Sequence, residues 1–247
     1  MTKKKILCSI VSLFAFSIVL FPTLAKADIL IKKIKHTEAT VMGQIQPAKD
    51  EEGITWMAKD KMREDMAESS TIFRLDLNKI YIIDHSKKTY SEIDFPLEFD
   101  KVFPPEAKHM MEMIKMTSSS ITDTEETQII RGWKCRKFLV EVEISMMAMN
   151  IQMKIEIWTT KDLGIDLNVY KKFSGAILSI NPFTKDLSEE FKKIEGFPVL
   201  AISSITMTGT ETKEREEVVS VEKKEAPAST YNLPQGYEKI PYNPLEQ

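Results

Sequence analysis

Methionine is the residue type in this sequence with the most chemistry to offer. The chain holds 14, and they crowd into two stretches, Met110–Met116 and Met146–Met153. A thioether is soft enough to ligate Cu(I). On an unbranched, polarisable side chain it also moulds itself to irregular apolar partners. In the first stretch His109 and Met113 stand four residues apart and Met113 and Met116 three, so a helix would put each pair on one face. Met110 and Met111 nevertheless recur with Ala107 and Ile114 at helical spacing, so packing explains this stretch better and no metal is assigned to it. The second stretch alternates. Met147, Met149, Ile151, Met153, Ile155 and Ile157 fall on one side of a strand, with Asn150, Gln152, Lys154 and Glu156 on the other. Three readings of the methionines stay open: ordinary core, the wall of a cavity that adapts to acyl chains, or a Cu(I) site.

Catalytic chemistry has little to build on. His36, His85 and His109 lie in three separate segments, and His85 falls in a predicted turn, where a solvated role is expected. No zinc-protease helix motif, nucleophile elbow or phosphate-cradling glycine loop occurs. The acidic residues are scattered without an obvious acid/base pair. The expectation is a protein that is not an enzyme and needs no cofactor. Cys135 is the one cysteine beyond residue 27, so no intramolecular disulfide is available there. Its neighbours Lys134 and Arg136 point to the other side of a strand, while Trp133 and Lys137 share its side, which favours burial over a reactive thiol.

The elements that would position these residues begin after an export signal. Lys3, Lys4 and Lys5, the uncharged apolar stretch Ile6 to Leu20, Pro22 and the small residues of Ala25-Lys26-Ala27 stand in the order of a cleavable secretory signal. The apolar stretch is shorter than the roughly 20 residues a membrane span needs. Cys8 sits inside it rather than at the cleavage point, so the mature chain is not expected to be lipid-anchored. Removing residues 1–27 takes away four lysines and no acidic residue, which moves the formal charge from -3 to -7. That balance argues against a nucleic-acid partner and against attachment to anionic lipid. Residues 28–225 read as one domain and 226–247 as an extended tail on the surface.

Within the domain, strands are predicted at Ile54–Ala58, Lys61–Ala67, Ile72–Leu77, Lys79–Ile83 and Thr89–Ser91, with a hairpin turn at Asp84–Lys88. Pro104-Pro105 opens a helix that runs through Met116. Strands resume after Ser118–Ser120, Gly132 marks a bend or bulge, and Phe138–Ile144 and Met147–Ile157 are strands. Leu163–Phe173 and Thr184–Ile194 read as helices, Gly196 stops the second, and Glu211–Glu225 alternates through Val219 and Val221. The fold class that follows is mainly β: a curved antiparallel sheet forming an incomplete β-barrel, with two or three helices covering its apolar face.

Several short motifs carry a resemblance. They are Gly53-Ile54-Thr55-Trp56, Asp60-Lys61-Met62-Arg63-Glu64, Lys88-Thr89-Tyr90-Ser91-Glu92 and Gly132-Trp133-Lys134-Cys135-Arg136-Lys137-Phe138. Further along come Glu156-Ile157-Trp158-Thr159-Thr160-Lys161-Asp162-Leu163-Gly164, Gly196-Phe197-Pro198-Val199 and Leu233-Pro234-Gln235-Gly236-Tyr237. In this order they resemble an uncharacterised family of bacterial exported proteins, which is similar to the periplasmic lipoprotein carriers and receptors of the LolA/LolB-like group. The resemblance implies a half-open barrel with a helical lid, a periplasmic location and a hydrophobic cavity for acyl chains of a lipid or lipoprotein. An arginine near the cavity matters in such carriers, and Arg63 lies in one of the matching stretches. The candidate ligand-binding residues are therefore Met147, Met149, Ile151, Met153, Ile155, Met110, Met111, Ile114, Trp56 and Arg63. A ligand-free envelope module with protein partners, and a Cu(I)-binding protein, are the alternatives.

Overall fold

The computed structural model describes residues 27–38, 40–41, 44–45, 47–97, 114–146, 149–180 and 187–242. The expected signal segment, the helix from Pro104 up to residue 113, Met110, Met111, His109 and Met147 lie outside them. The strands are β1 (Asp28–Thr37), β2 (Thr40–Val41), β3 (Gln44–Ile45), β4 (Lys49–Met57), β5 (Lys61–Asp65), β6 (Ser69–Arg74), β7 (Lys79–Asp84) and β8 (Thr89–Asp94). They continue as β9 (Ile114–Ile130), β10 (Trp133–Met146) and β11 (Met149–Thr160), and after the helices α1 (Leu167–Ile180) and α2 (Ser188–Phe191) come β12 (Phe197–Met207), β13 (Thr210–Lys224) and β14 (Glu238–Lys239).

Twelve of these strands form one curved, unclosed sheet in the order β14-β8-β7-β6-β5-β4-β1-β13-β12-β11-β10-β9, an incomplete barrel as expected from the sequence. The β2–β3 ribbon stands apart. β1 is the seam: β4 to β8 form a meander on one side of it and β9 to β13 a second on the other. Every pairing in the large sheet is antiparallel except β14 with β8.

Where the sequence reading and the structure differ, the ladder explains most of the difference. β9 starts at Ile114, so Ile114 and Met116 belong to a strand rather than to a helix end. Met116 pairs with Ile144 and Ile121 with Val140, and these cross-strand contacts outweigh the local helical spacing. Gly132 does more than bend a strand. With Arg131 (φ 49°) it forms a two-residue hairpin turn (Gly132 φ 87°), the conformation that matches strand twist. α1 begins at Leu167, four residues later than its apolar spacing suggests, because the Asp166 carboxylate accepts the Asn168 amide proton at 3.0 Å and caps the first turn. Of the second expected helix, Thr184 to Asp186 lie outside the described residues, and the rest holds the four-residue α2 followed by a turn at Lys192 and Lys193.

Alternation sorts the first meander into two faces. Met57, Met62, Phe73, Ile80 and Ile93 stand in one cross-strand row and are buried. Phe173 of α1 meets Phe73 edge-on at 6.3 Å, which places the helix on this face. Trp56, Arg63, Ile72, Tyr81 and Glu92 form the adjacent row on the opposite face. That face is covered by the tail, which is not simply extended but turns at Ala228–Asn232 and is firmly tied. Arg63 donates to the Thr230 carbonyl at 3.1 Å, Tyr231 donates to Asp28 at 3.0 Å, and Tyr237 meets His85 Nδ1 at 2.9 Å. His85 is consequently not a solvated turn residue: it is half-buried, with Ser70 Oγ 2.6 Å from Nε2.

A charge sits at the seam. Lys33 of β1 bonds Glu64 of β5 and, at 3.1 Å, Glu216 of β13, with only 11% of its side chain exposed. To reach Glu64 it crosses β4 at Gly53, where an added Cβ would stand 2.8 Å from Lys33 Cγ and 2.9 Å from Met66 Sδ. Burial works against the ammonium, yet Glu64 and Glu216 together hold its pKa above the ordinary lysine value.

Two stability outcomes follow. Lys33→Met strands both carboxylates and should cost about 2 kcal/mol in urea unfolding, less than a fully buried pair because Glu216 is half exposed. Since folding raises the Lys33 pKa, its contribution is complete below the ordinary lysine range and fades as pH climbs through the higher folded value, so the deficit of the variant should shrink only in strongly alkaline buffer. Gly196→Ala should cost about 2–3 kcal/mol in the same assay, because φ is 97° there and the new Cβ would stand 2.9 Å from the Thr160 carbonyl oxygen.

Candidate functional site

The second meander brings apolar side chains together across four strands. On the face that continues from Lys33, register gives the rows Met116–Ile144–Ile151–Met207, then Val142–Met153–Ile205, then Ile121–Val140–Ile155. Ile114 and Met149 extend the patch at its end, each paired with position 146 of β10. Val140 and Val142 are buried, whereas Met116, Ile144, Ile151, Met153, Ile155, Ile205 and Met207 are half-buried. Leu187 and Phe191 at α2, with Ile194 just after it, pack against the middle of this face. A continuous apolar face left only half-buried by what covers it is a natural place for an apolar guest to lie.

The other face of the same strands is polar. Glu141, Glu143, Gln152, Lys154, Ser204 and Thr206 border a cleft of about 510 Å³ that Ser118–Ser120 close from the β9 side. Two chemistries thus lie back to back on one sheet, with period two as the reason.

Of the residues proposed from sequence, the structure groups Met149, Ile151, Met153, Ile155 and Ile114 on the apolar face. Met147, Met110 and Met111 lie outside the described residues. Trp56 and Arg63 are not part of the group. They are cross-strand partners on the face of β4 and β5 that turns away from α1. Arg63 is taken up there by Asp65 at 2.7 Å, Ser70 at 3.3 Å and the Thr230 carbonyl, so it fastens the tail instead of facing a cavity beside the methionines. Sequence reasoning missed Val140, Val142, Ile205 and Met207 as members of the patch. The alternation of Ile205 and Met207 with Ser204 and Thr206 was the available signal.

The titratable groups nearby fit a structural part. Cys135 is 1% exposed, burial pushes its thiol up, and Sγ donates to the Trp133 carbonyl at 3.4 Å, as its side of the strand led one to expect. Lys137 bonds Glu156 at 3.2 Å and stands 5.7 Å from the centre of the Trp158 ring. Burial raises the Tyr170 phenol on α1, and the nearby charges of Glu216 and Glu64 push it the same way. Among the described residues no group of three or more His, Cys, Asp or Glu is placed to hold a metal, and no helix is long and apolar enough to cross a membrane.

No curated protein matches the chain. Among solved structures, a domain from Vibrio parahaemolyticus named for outer membrane lipoprotein sorting is similar over 85% of this chain and 91% of that one, with a TM-score of 0.32 and 7% identity. A likeness that distant carries no argument about ligand or partner. The family described as a domain of unknown function, DUF4412, matches residues 38–237. That span begins directly after β1 and takes in both meanders and the tail as far as Tyr237, and the chain belongs to the DUF4412 family.

Proposed function

We propose that the protein is an exported periplasmic binding or carrier protein that holds the acyl chain of a lipid or lipoprotein on the apolar face of β9 to β12. The observation that carries this reading is the half-buried row set built on Ile144, Ile151, Met153, Ile155 and Met207, on a sheet whose other face is polar. Methionine suits such a surface because an acyl chain has no fixed shape, and three flexible torsions let Met153 and Met207 follow it. Each methylene removed from water is worth about 0.8 kcal/mol. About fifteen of them give roughly 12 kcal/mol, which after an association cost of about 4 kcal/mol leaves the roughly 8 kcal/mol of micromolar binding. The sequence motifs that resemble the lipoprotein carriers point to the same class of cargo. Tryptophan reports little on this site directly, since Trp56 lies on the far face and Trp158 sits in the main core.

Native mass spectrometry of the protein after incubation with palmitate or with phosphatidylglycerol is the test. A stoichiometric adduct on the wild-type chain, lost in Ile151→Glu/Met153→Glu at unchanged far-UV circular dichroism, is the expected result. A clean unliganded mass with both lipids overturns the reading and leaves an envelope interaction module as the better account.

A further inference from the structure

A second concavity lies in the other meander, at the sheet edge where the tail turns over. It encloses about 460 Å³, within the range of small-molecule sites. Two adjacent cross-strand rows build its floor, Thr71–Ile82–Ser91 and Ser69–Asp84–Thr89, so alternation delivers four hydroxyls to one side around a single isoleucine. The tail supplies the wall. Ile240 donates its amide proton to the Tyr90 carbonyl at 2.9 Å, and Ser91 Oγ donates to the Pro241 carbonyl at 3.3 Å, which brings Ile240 and Pro241 over the cleft.

One atom here has no structural reason to be polar. Thr89 Oγ1 is shielded from solvent and has no hydrogen-bond partner among the described residues. A buried hydroxyl left unpaired is costly, whereas valine would fill the same volume at no such cost. Rotation about χ1 exchanges Oγ1 with the methyl group and offers the hydroxyl to a guest in the cleft.

The lining also selects what the guest can be. Asp84 and Glu68 disfavour an anion, and Lys87, 3.2 Å from Asp84, offsets the attraction for a cation. A hydrocarbon would desolvate Ser69, Thr71 and Ser91 with nothing in return. A ring with alternating hydroxyls and an apolar CH face satisfies both kinds of wall: its edges meet the hydroxyls and Asp84, and its face lies on Ile82 and Ile240. The geometry points to a binding site for a neutral saccharide in the cleft between the β6–β8 rows and the tail, with Thr89, Ser69, Thr71 and Asp84 as its hydrogen-bonding residues. Ser86 and the Lys87 amide bond Asp84 and hold its carboxyl well below the usual carboxylate range, so it stays ionised and accepts hydrogen bonds at any neutral pH. This site shares no residue with the apolar face of β9 to β12 and stands or falls apart from it.

The experiment is a ¹H–¹⁵N NMR titration of the whole protein with maltose and, separately, N-acetylglucosamine. Saturable shifts at the amides of Thr89, Ser91 and Ile240 with either sugar are expected. Thr89→Val should leave the remaining spectrum and the fold in place while weakening binding at least about fivefold, the worth of one hydrogen bond. Asp84→Asn should weaken it by a similar factor. Absence of saturable shifts in the cleft with both sugars overturns the assignment. So does unchanged affinity in Thr89→Val, or a response to methylammonium that exceeds the response to sugar.

Discussion

The arrangement depends on an ammonium group held between two carboxylates at the middle of the sheet. Among the described strands of the large sheet β1 alone pairs with both meanders, and Lys33 binds one carboxylate from each, Glu64 and Glu216. Backbone pairing fixes β1 to β4 and to β13 separately. The side-chain bridge adds a link that neither ladder provides, because it skips over β4 to β5. Gly53 is the condition for that link, since any larger residue there would occupy the path of the lysine stem. A polar tie of this sort is a better device for specifying register than for raising stability.

On either side of the seam, one physical rule yields two unlike surfaces. Alternation puts apolar rows on one face of β9 to β12 and charged or amide groups on the other. In the first meander both faces are covered, one by α1 and one by the tail, and the surfaces that remain are at the edge. The tail passes from Thr230 and Tyr237 on one face, around β8 through the β14 pairing, to Tyr242 packed on the main core. It therefore occupies what would otherwise be an open sheet edge.

Much of the fold was legible in the sequence because period two survives in most strands. The alternation at Met149–Ile157 predicted both the strand and its apolar side, and Cys135 was assigned to the buried side from its neighbours. Other features depend on contacts that no local pattern records. The helical spacing misleads at Ile114 and Met116 because Met116 finds Ile144 across a ladder. The tail is rich in proline and asparagine, which reads as surface, yet its carbonyls at 230 and 231 are taken by Arg63 and Arg74. Arg63 itself was assigned from resemblance, and only the register with Trp56 shows which face it occupies. Lys33 and Glu216 are 183 residues apart, so nothing in the neighbourhood of either announces the other.

That separation sets the order of events as the chain is made. The residues of β1 come first, but their partner on one side, β13, arrives with the last quarter, Asp28 meeting Lys224. Contacts of such long range raise the entropic cost of reaching the transition state and slow folding. The first meander has local hairpins and can assemble early, leaving one flank of β1 bare until residues 210–224 appear. The seam cannot close until nearly all of the chain is available, so the topology ties completion of the fold to the arrival of its last long strand.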